Sequence, residues 1–394
     1  MSYLIIGWII LQICIGYNLF FPLFLLLINQ FKGKQKIETL NPIVDLDYAM
    51  IVTAYEETNH LPKVVQSILD QNYQNFLVYV VADKCDISDL NFNSDKVILL
   101  RPENVIASNT GSHQYALDHL IRSHDFVTII DSDNIVEQNY LNELNKFFQA
   151  GYSAVQGIRA AKNLDTTYAC LDAARDIYYH FYDGKVIFNI GSSATLAGSG
   201  MAFRLSLYQN FLKENKVSGA GFDKVLQAWI VGQDIRIAFN ENAIVYDEKT
   251  TQSDQLVKQR SRWINTWFKY FKFGFSMVFK GFKNLSLNQF IFGFVLLRPP
   301  LFIFLILSIF AMIINFLLGL NYWIWLIGFV CFVASFLLSL INSQTDKRIY
   351  SSLINIPKFI FYQVVSLFKA KNANKISVAT RHFSTDDSSN KNIK

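Results

Sequence analysis

The chain has 394 residues, is 52% hydrophobic with 35 phenylalanines, and carries a formal charge of +5. The apolar excess collects before residue 30 and after about residue 285, which argues against a wholly soluble protein and leaves a middle third long enough for an ordinary α/β core. Lysines and arginines cluster beside the apolar runs, which fits membrane flanks and not a nucleic-acid surface. The four cysteines are scattered, which argues against a zinc site or a disulfide framework.

Residues 3–28 form an apolar run long enough to cross a bilayer, without the basic start or the cleavage site of a signal peptide. Lys32, Lys34 and Lys36 follow at once and place the next domain in the cytoplasm. A polar linker occupies 30–47. Strands are predicted at 48–54, 76–82, 97–100 and 126–130, with helices through about Asp70 and over 113–123. Strand and helix alternate, so the expected fold class is α/β with a mostly parallel central sheet. No glycine-rich dinucleotide fingerprint or lysine-bearing phosphate loop is present, so a nucleotide would be held by side chains and a metal.

The run Phe126-Val-Thr-Ile-Ile-Asp131-Ser-Asp133 delivers two carboxylates at the end of a buried strand. In an open α/β sheet ligands bind at that edge. Two carboxylates one residue apart repel unless a cation lies between them, and oxygen ligands suit Mg²⁺ or Mn²⁺ carrying a diphosphate. Further on, 154–159 reads as a strand, 165–181 as an aromatic amphipathic helix, and 196–204 as a loop whose glycines permit close backbone approach. Gly232-Gln233-Asp234 reads as a helix start leading into 235–239, and 243–246 as a last strand. Gln259-Arg260-Ser261-Arg262-Trp263 opens a basic, aromatic stretch over 264–285 that reads as an interfacial helix. Two spans follow, 290–318 and 322–341, with Pro299-Pro300 kinking the first. Lys347-Arg348 keep the C-terminus cytoplasmic. Residues 354–368 read as a second interfacial helix and 371–394 as a polar tail.

In order along the chain, Asp83, Asp131-Ser132-Asp133, Gly232-Gln233-Asp234 and Gln259-Arg260-Ser261-Arg262-Trp263 resemble the motifs of membrane-integrated family 2 glycosyltransferases, the cellulose, hyaluronan, chitin and poly-N-acetylglucosamine synthase kind. The last motif, Gln-x-x-Arg-Trp, is the most specific. The resemblance covers about residues 48–383. It implies a GT-A-type cytoplasmic domain over 48–263, an N-terminal transmembrane helix over 1–29, a two-helix transmembrane hairpin over 286–342 and an interfacial region over 343–370. It also implies a multi-pass protein of a bacterial inner membrane.

What the resemblance implies about chemistry is an inverting transfer from a UDP-sugar, with Mg²⁺ or Mn²⁺. Thr53, Tyr55, Glu56 and Asp83 would hold the uridine, and Asp131 and Asp133 the metal and diphosphate, with Gln259, Arg260 and Arg262 also on the diphosphate. Asp234 would be the general base. Trp263 would stack on the acceptor, over a floor shaped by Gly198, Ser199 and Gly200. His113 stands where the family often has a lysine on the donor, and Gln233 where it commonly has an acid. Residues 377–382 are similar to the gating pattern Trp-x-x-Thr-x-Arg, with Ser377 in place of Trp. Two acceptors stay open: a growing β-linked polysaccharide, with a possible accessory export subunit, or a membrane lipid (polyprenyl phosphate, ceramide-like lipid or diacylglycerol) that receives a single sugar. A non-enzymatic scaffold is the third reading, disfavoured because each carboxylate the reaction needs is present.

Overall fold

The computed structural model describes residues 3–33, 35–37, 44–217 and 219–373. Lys34, much of the linker, and the 377–382 pattern with nearly all of the tail lie outside the described residues. Helix α1 (Tyr3–Lys32) leads to β1 (Tyr48–Tyr55), α2 (Leu61–Leu69), β2 (Phe76–Asp83), β3 (Val97–Leu100), α3 (Asn109–Asp118) and β4 (Phe126–Asp131). Next come β5 (Ile135–Val136), α4 (Tyr140–Gln149), β6 (Ala154–Ala161) and α5 (Thr167–Tyr179). Helix α5 runs on as a π-helical turn, His180–Val186, into α6 (Ile187–Asn189). Then follow β7 (Met201–Arg204), α7 (Leu205–Glu214), α8 (Phe222–Gly232) and β8 (Ile237–Asp247).

One eight-stranded sheet has the order β3-β2-β1-β4-β7-β6-β8-β5. Its first four strands are parallel, as the alternating pattern predicts. Strand β7 then runs antiparallel to both β4 and β6, and β5 antiparallel to β8. Strand β6 pairs in parallel with β8, so six of the eight strands run one way: the sheet is mostly parallel, as expected, and mixed through β7 and β5. The reversal lay hidden because Met201–Arg204 is only four residues long and sits in what reads as a glycine turn. Strands β1 and β2 are almost wholly apolar and buried on both faces, as central strands covered by helices must be. Register puts Tyr55 opposite Asp83 and Thr53 opposite Asp131, so one sheet edge collects all four.

A correction concerns 235–239. Ile237-Ala238-Phe239 begins β8, and Gly232-Gln233-Asp234 ends α8 instead of starting a helix. Asp234 has φ +59, the left-handed turn that follows many helix ends.

Beyond the sheet lie α9 (Ser253–Tyr270), α10 (Phe273–Asn284), α11 (Leu287–Leu297), α12 (Leu301–Leu317), α13 (Trp323–Ile341), α14 (Lys347–Ser352) and α15 (Ile356–Lys369). Among the described residues three helices are long and apolar enough to cross a membrane, residues 3–32, 323–341 and 347–369, or four if the bent α11–α12 pair counts as one span. That pair bends by 74° at Arg298-Pro299-Pro300, because proline lacks the N–H and clashes with the preceding turn. Helix α1 packs on α12 and α13 through Leu19, Phe304, Ala311 and Trp325. Gly328 permits the approach: a Cβ there would lie 2.8 Å from Leu19. Gln12 accepts from Asn315 Nδ2 (2.6 Å) and Trp325 Nε1 (3.3 Å), so the polar interruption in α1 is satisfied between helices.

Candidate active site

A cleft of about 1280 Å³ begins at the carboxyl ends of β1, β2 and β4 and runs along α9 to α12, α13 and α15. At its sheet end stand Thr53, Tyr55 and Asp83. The Asp83 carboxylate accepts the backbone N–H groups of Ile106 (3.0 Å) and Ala107 (2.6 Å), pinning the loop that forms one wall. Glu56 turns away from the lining at φ +64 and pairs with Lys84 at 2.7 Å, while Glu57 faces the cleft.

Asp131 and Asp133 lie together on the cleft wall with Arg159 and Asp247. The Asp131 N–H donates to Ser199 Oγ (3.0 Å), so buried Ser199 positions the aspartate backbone and does not line the cleft. Gly198 lines it, and Gly200 packs under Val245. Burial pushes the Asp131 carboxyl up to about 7, with Arg159 opposing and Asp133, Asp247 and Asp223 adding to the rise. Burial and the nearby Asp247 push Asp133 up to about 6. The pair therefore has more negative charge than its surroundings balance, and a divalent cation would balance it. Among the described residues no three His, Cys, Asp or Glu side chains are grouped to hold a metal alone. Asp131 and Asp133 are the residues that would hold Mg²⁺ or Mn²⁺, hard cations that one or two carboxylates bind together with substrate phosphates.

Behind the pair runs a buried ion chain. Arg159 Nη2 meets Asp247 at 2.8 Å, Lys249 Nζ bridges Asp247 (2.9 Å) and Asp176 (2.7 Å), and Arg175 pairs with Asp176 and Asp172. Asn134 Nδ2 ties Asp133 to Asp247 (3.2 Å each).

Besides Glu56, Ser199 and Gly200, two further expected site residues, Asp234 and His113, are absent from the cleft lining. Asp234 does not line the cleft; its Oδ1 accepts from Ser286 Oγ (2.5 Å) and Asn288 Nδ2 (3.3 Å) at the α10–α11 junction. His113 is 1% exposed in the core, with Nδ1 2.7 Å from Tyr208 Oη and its ring against Phe222, and burial drives it down to about 3. Asp223, in the first turn of α8, lines the cleft within electrostatic reach of Asp131. Asp223 Oδ2 lies 3.3 Å from Lys224 Nζ. Gly221, at φ +94, lets α8 begin against α9, since a Cβ there would meet Thr266 at 2.5 Å and Tyr270 at 2.9 Å.

Helix α9 brings Gln259, Arg260, Arg262 and Trp263 to the cleft together. Arg260 is buried and pairs with Asp172, leaving Nε and Nη1 without acceptors. Its guanidinium lies 4.0 Å from the Trp263 ring, and that of Arg175 4.2 Å. Arg298, at the α11–α12 bend, lines the cleft and pairs with Asp183. Past it the walls turn apolar, formed by α12, α13 and α15.

Residues 46–266 match the family model described as "Glycosyltransferase like family 2". Mannosyltransferase PcManGT from Pyrobaculum calidifontis, solved with GDP-Man and Mn²⁺, superposes with a TM-score of 0.56 at 13% identity, over 91% of this chain and 98% of that one. At that identity the likeness is one of fold, a GT-A-like domain with a curled mixed sheet. S. aureus TarS 1–349 with UDP-GlcNAc aligns over 84% of this chain and 91% of its own, with a TM-score of 0.42 and 12% identity. Glycosyltransferase GlyA of Streptococcus pneumoniae serotype 4 is 31% identical over 113 residues, which are 26% of this chain and 15% of GlyA. The chain thus spans well under a fifth of that relative's length.

Proposed function

The chain belongs to the glycosyltransferase-like family 2, a nucleotide-sugar-dependent glycosyltransferase, and from that premise we propose an inverting transfer from a UDP-sugar to a hydroxyl presented at the membrane. The observation that carries this reading is a single cleft that joins Asp83, Asp131, Asp133 and Asp223 at one end to apolar helices at the other. Thr53, Tyr55 and Asp83 bound the uridine. Asp131 and Asp133, with Gln259, Arg260 and Arg262, hold the diphosphate; the unpartnered Arg260 donors suit phosphate oxygens. Mg²⁺ or Mn²⁺ held by Asp131 and Asp133 would supply positive charge for the leaving diphosphate. Asp223 takes the proton as the acceptor oxygen attacks the anomeric carbon and the carbon–diphosphate bond breaks. One displacement inverts that carbon, and the pair behind the sugar leaves as UDP.

Trp263, more than a third exposed, borders the acceptor path with Gly198. The acceptor is a β-linked polysaccharide end or a lipid. Lys32, Lys347 and Arg348 at the ends of apolar helices support a multi-pass topology with the catalytic domain in the cytoplasm. The test is sugar incorporation by membranes containing the protein, from labelled UDP-glucose and UDP-N-acetylglucosamine with Mn²⁺, and with Asp133→Ala as the blank. Incorporation above the blank is expected from one donor. None from either would overturn the UDP-sugar assignment.

A further inference from the structure

Building on the transferase reading, we propose that the acceptor is an uncharged lipid alcohol whose hydrocarbon chain lies in the apolar limb of the cleft between α12, α13 and α15. The limb is continuous with the carboxylate site, so a chain lying in it can present its head to the part of the cleft that Asp223 lines. Its walls are side chains such as Leu305, Ile309, Phe329, Val333, Leu337 and Ile360. Among the lining residues of these three helices only Gln363 is polar. A sugar polymer carries hydroxyls on each ring, and this wall would strip their water without returning hydrogen bonds. An alkyl chain meets no such penalty and gains from burial.

The limb also opens sideways. Ile309, Val333 and Leu337 line it and are 44%, 53% and 38% exposed, so its α12–α13 wall is not sealed by packing. An export pore for a polymer would have to be closed on that side, whereas a lipid enters from it.

Charge selects the head group. At the junction Arg298 pairs with Asp183, Arg260 with Asp172, and Arg175 with Asp172 and Asp176. Acidic side chains outnumber basic ones along the cleft. No surplus positive charge is left for a phosphate on the acceptor once the donor diphosphate is seated. Arg298 Nη1 is buried and without an acceptor, and with the guanidinium charge already matched by Asp183 it can donate to a hydroxyl or ester oxygen.

The test reconstitutes the full chain in phosphatidylcholine nanodiscs holding dioleoylglycerol with a diazirine near one acyl terminus, irradiates without donor, and maps labelled peptides. Label is expected on α12, α13 and α15 at least fivefold above the lipid face of α1. A tenfold excess of plain dioleoylglycerol should remove most of it, while undecaprenyl phosphate or cellohexaose should not. Val333→Trp and Leu305→Trp should each lower limb labelling at least fivefold with UDP binding unchanged. Even labelling over all lipid-facing helices, or displacement by cellohexaose or undecaprenyl phosphate, would overturn the proposal. Because labelling needs no donor, limb labelling alongside failed UDP binding would uphold this seat and refute the UDP-sugar reading instead.

Discussion

Replacing Lys249 with methionine keeps most of the stem and removes the charge that joins two buried carboxylates. Lys249 Nζ lies 2.7 Å from Asp176 and 2.9 Å from Asp247, and its side chain is 1% exposed. Burial pushes both acids up, but Arg175 and Lys249 hold Asp176, and Arg159 and Lys249 hold Asp247, below the usual carboxylate range. Breaking a buried pair from one side costs about 3–5 kcal/mol. Arg159 and Arg175 remain beside the acids, so the lower end, about 3 kcal/mol, is expected. For a domain of this size that is a fall in melting temperature of roughly 6–12 °C. The assay is thermal unfolding of wild type and Lys249→Met in detergent from pH 7.5 to 3.5. Acids with lowered folded pKa values stabilise above their unfolded value and lose that stability as pH falls through the folded one. The gap should therefore be full at neutral pH and begin to narrow only as pH falls towards about 4, the unfolded value. A variant melting within 2 °C of wild type at pH 7.5 would refute the buried network as a structural support of the site.

His113 is neutral and buried, with its folded pKa lowered to about 3, so its contribution is full above the unfolded value and lost as pH falls below it. From pH 7 to 5 that loss is about 2 kcal/mol, and His113→Gln should show a correspondingly shallower fall in melting temperature; equal slopes would contradict the core assignment. Gly221→Ala combines a left-handed backbone with a Cβ 2.5 Å from Thr266, so it should lower stability by about 2–4 kcal/mol and depress turnover by displacing Asp223. Unchanged melting and turnover would contradict that. Asp133→Ala should abolish the Mn²⁺ dependence of UDP binding measured by titration calorimetry, and an unchanged Mn²⁺ response would remove Asp133 from the metal site.

The first half of the domain was legible because its physics is local. Apolar runs of strand length alternate with helical spacing from Tyr48 to Asp131, and the strands pair in parallel register as that pattern requires. The second half depends on long-range pairing. Four residues of β7 reverse the sheet, and β8 begins in Ile237-Ala238-Phe239, whose β-branched alternation with Arg236 is a strand signal overridden by the Gly-Gln-Asp that precedes it. The resemblance of Gly232-Gln233-Asp234 to a family motif assigns the base to Asp234, and so short a motif carries no sign that the tripeptide ends a helix outside the cleft lining. The signal that finds Asp223 is also in the chain: Gly219-Ala220-Gly221 followed by Phe222-Asp223, an acid in the first turn after a glycine-rich entry. His113 could not be told from a donor contact, because burial by Tyr208 and Phe222 comes from distant elements. The Gln-x-x-Arg-Trp residues share the cleft because α9 presents positions three and four apart on one face.

The assignment of the base is tested most directly by comparing Asp223→Asn with Asp234→Asn in one transfer assay, with UDP binding and melting temperature measured on both. Asp223→Asn should lose about 10²–10⁴-fold in kcat with UDP binding retained. Asp234→Asn should stay within a few fold of wild type, since an amide oxygen can still accept from Ser286 and Asn288. A well-folded Asp234→Asn without turnover, beside an active Asp223→Asn, would contradict the account.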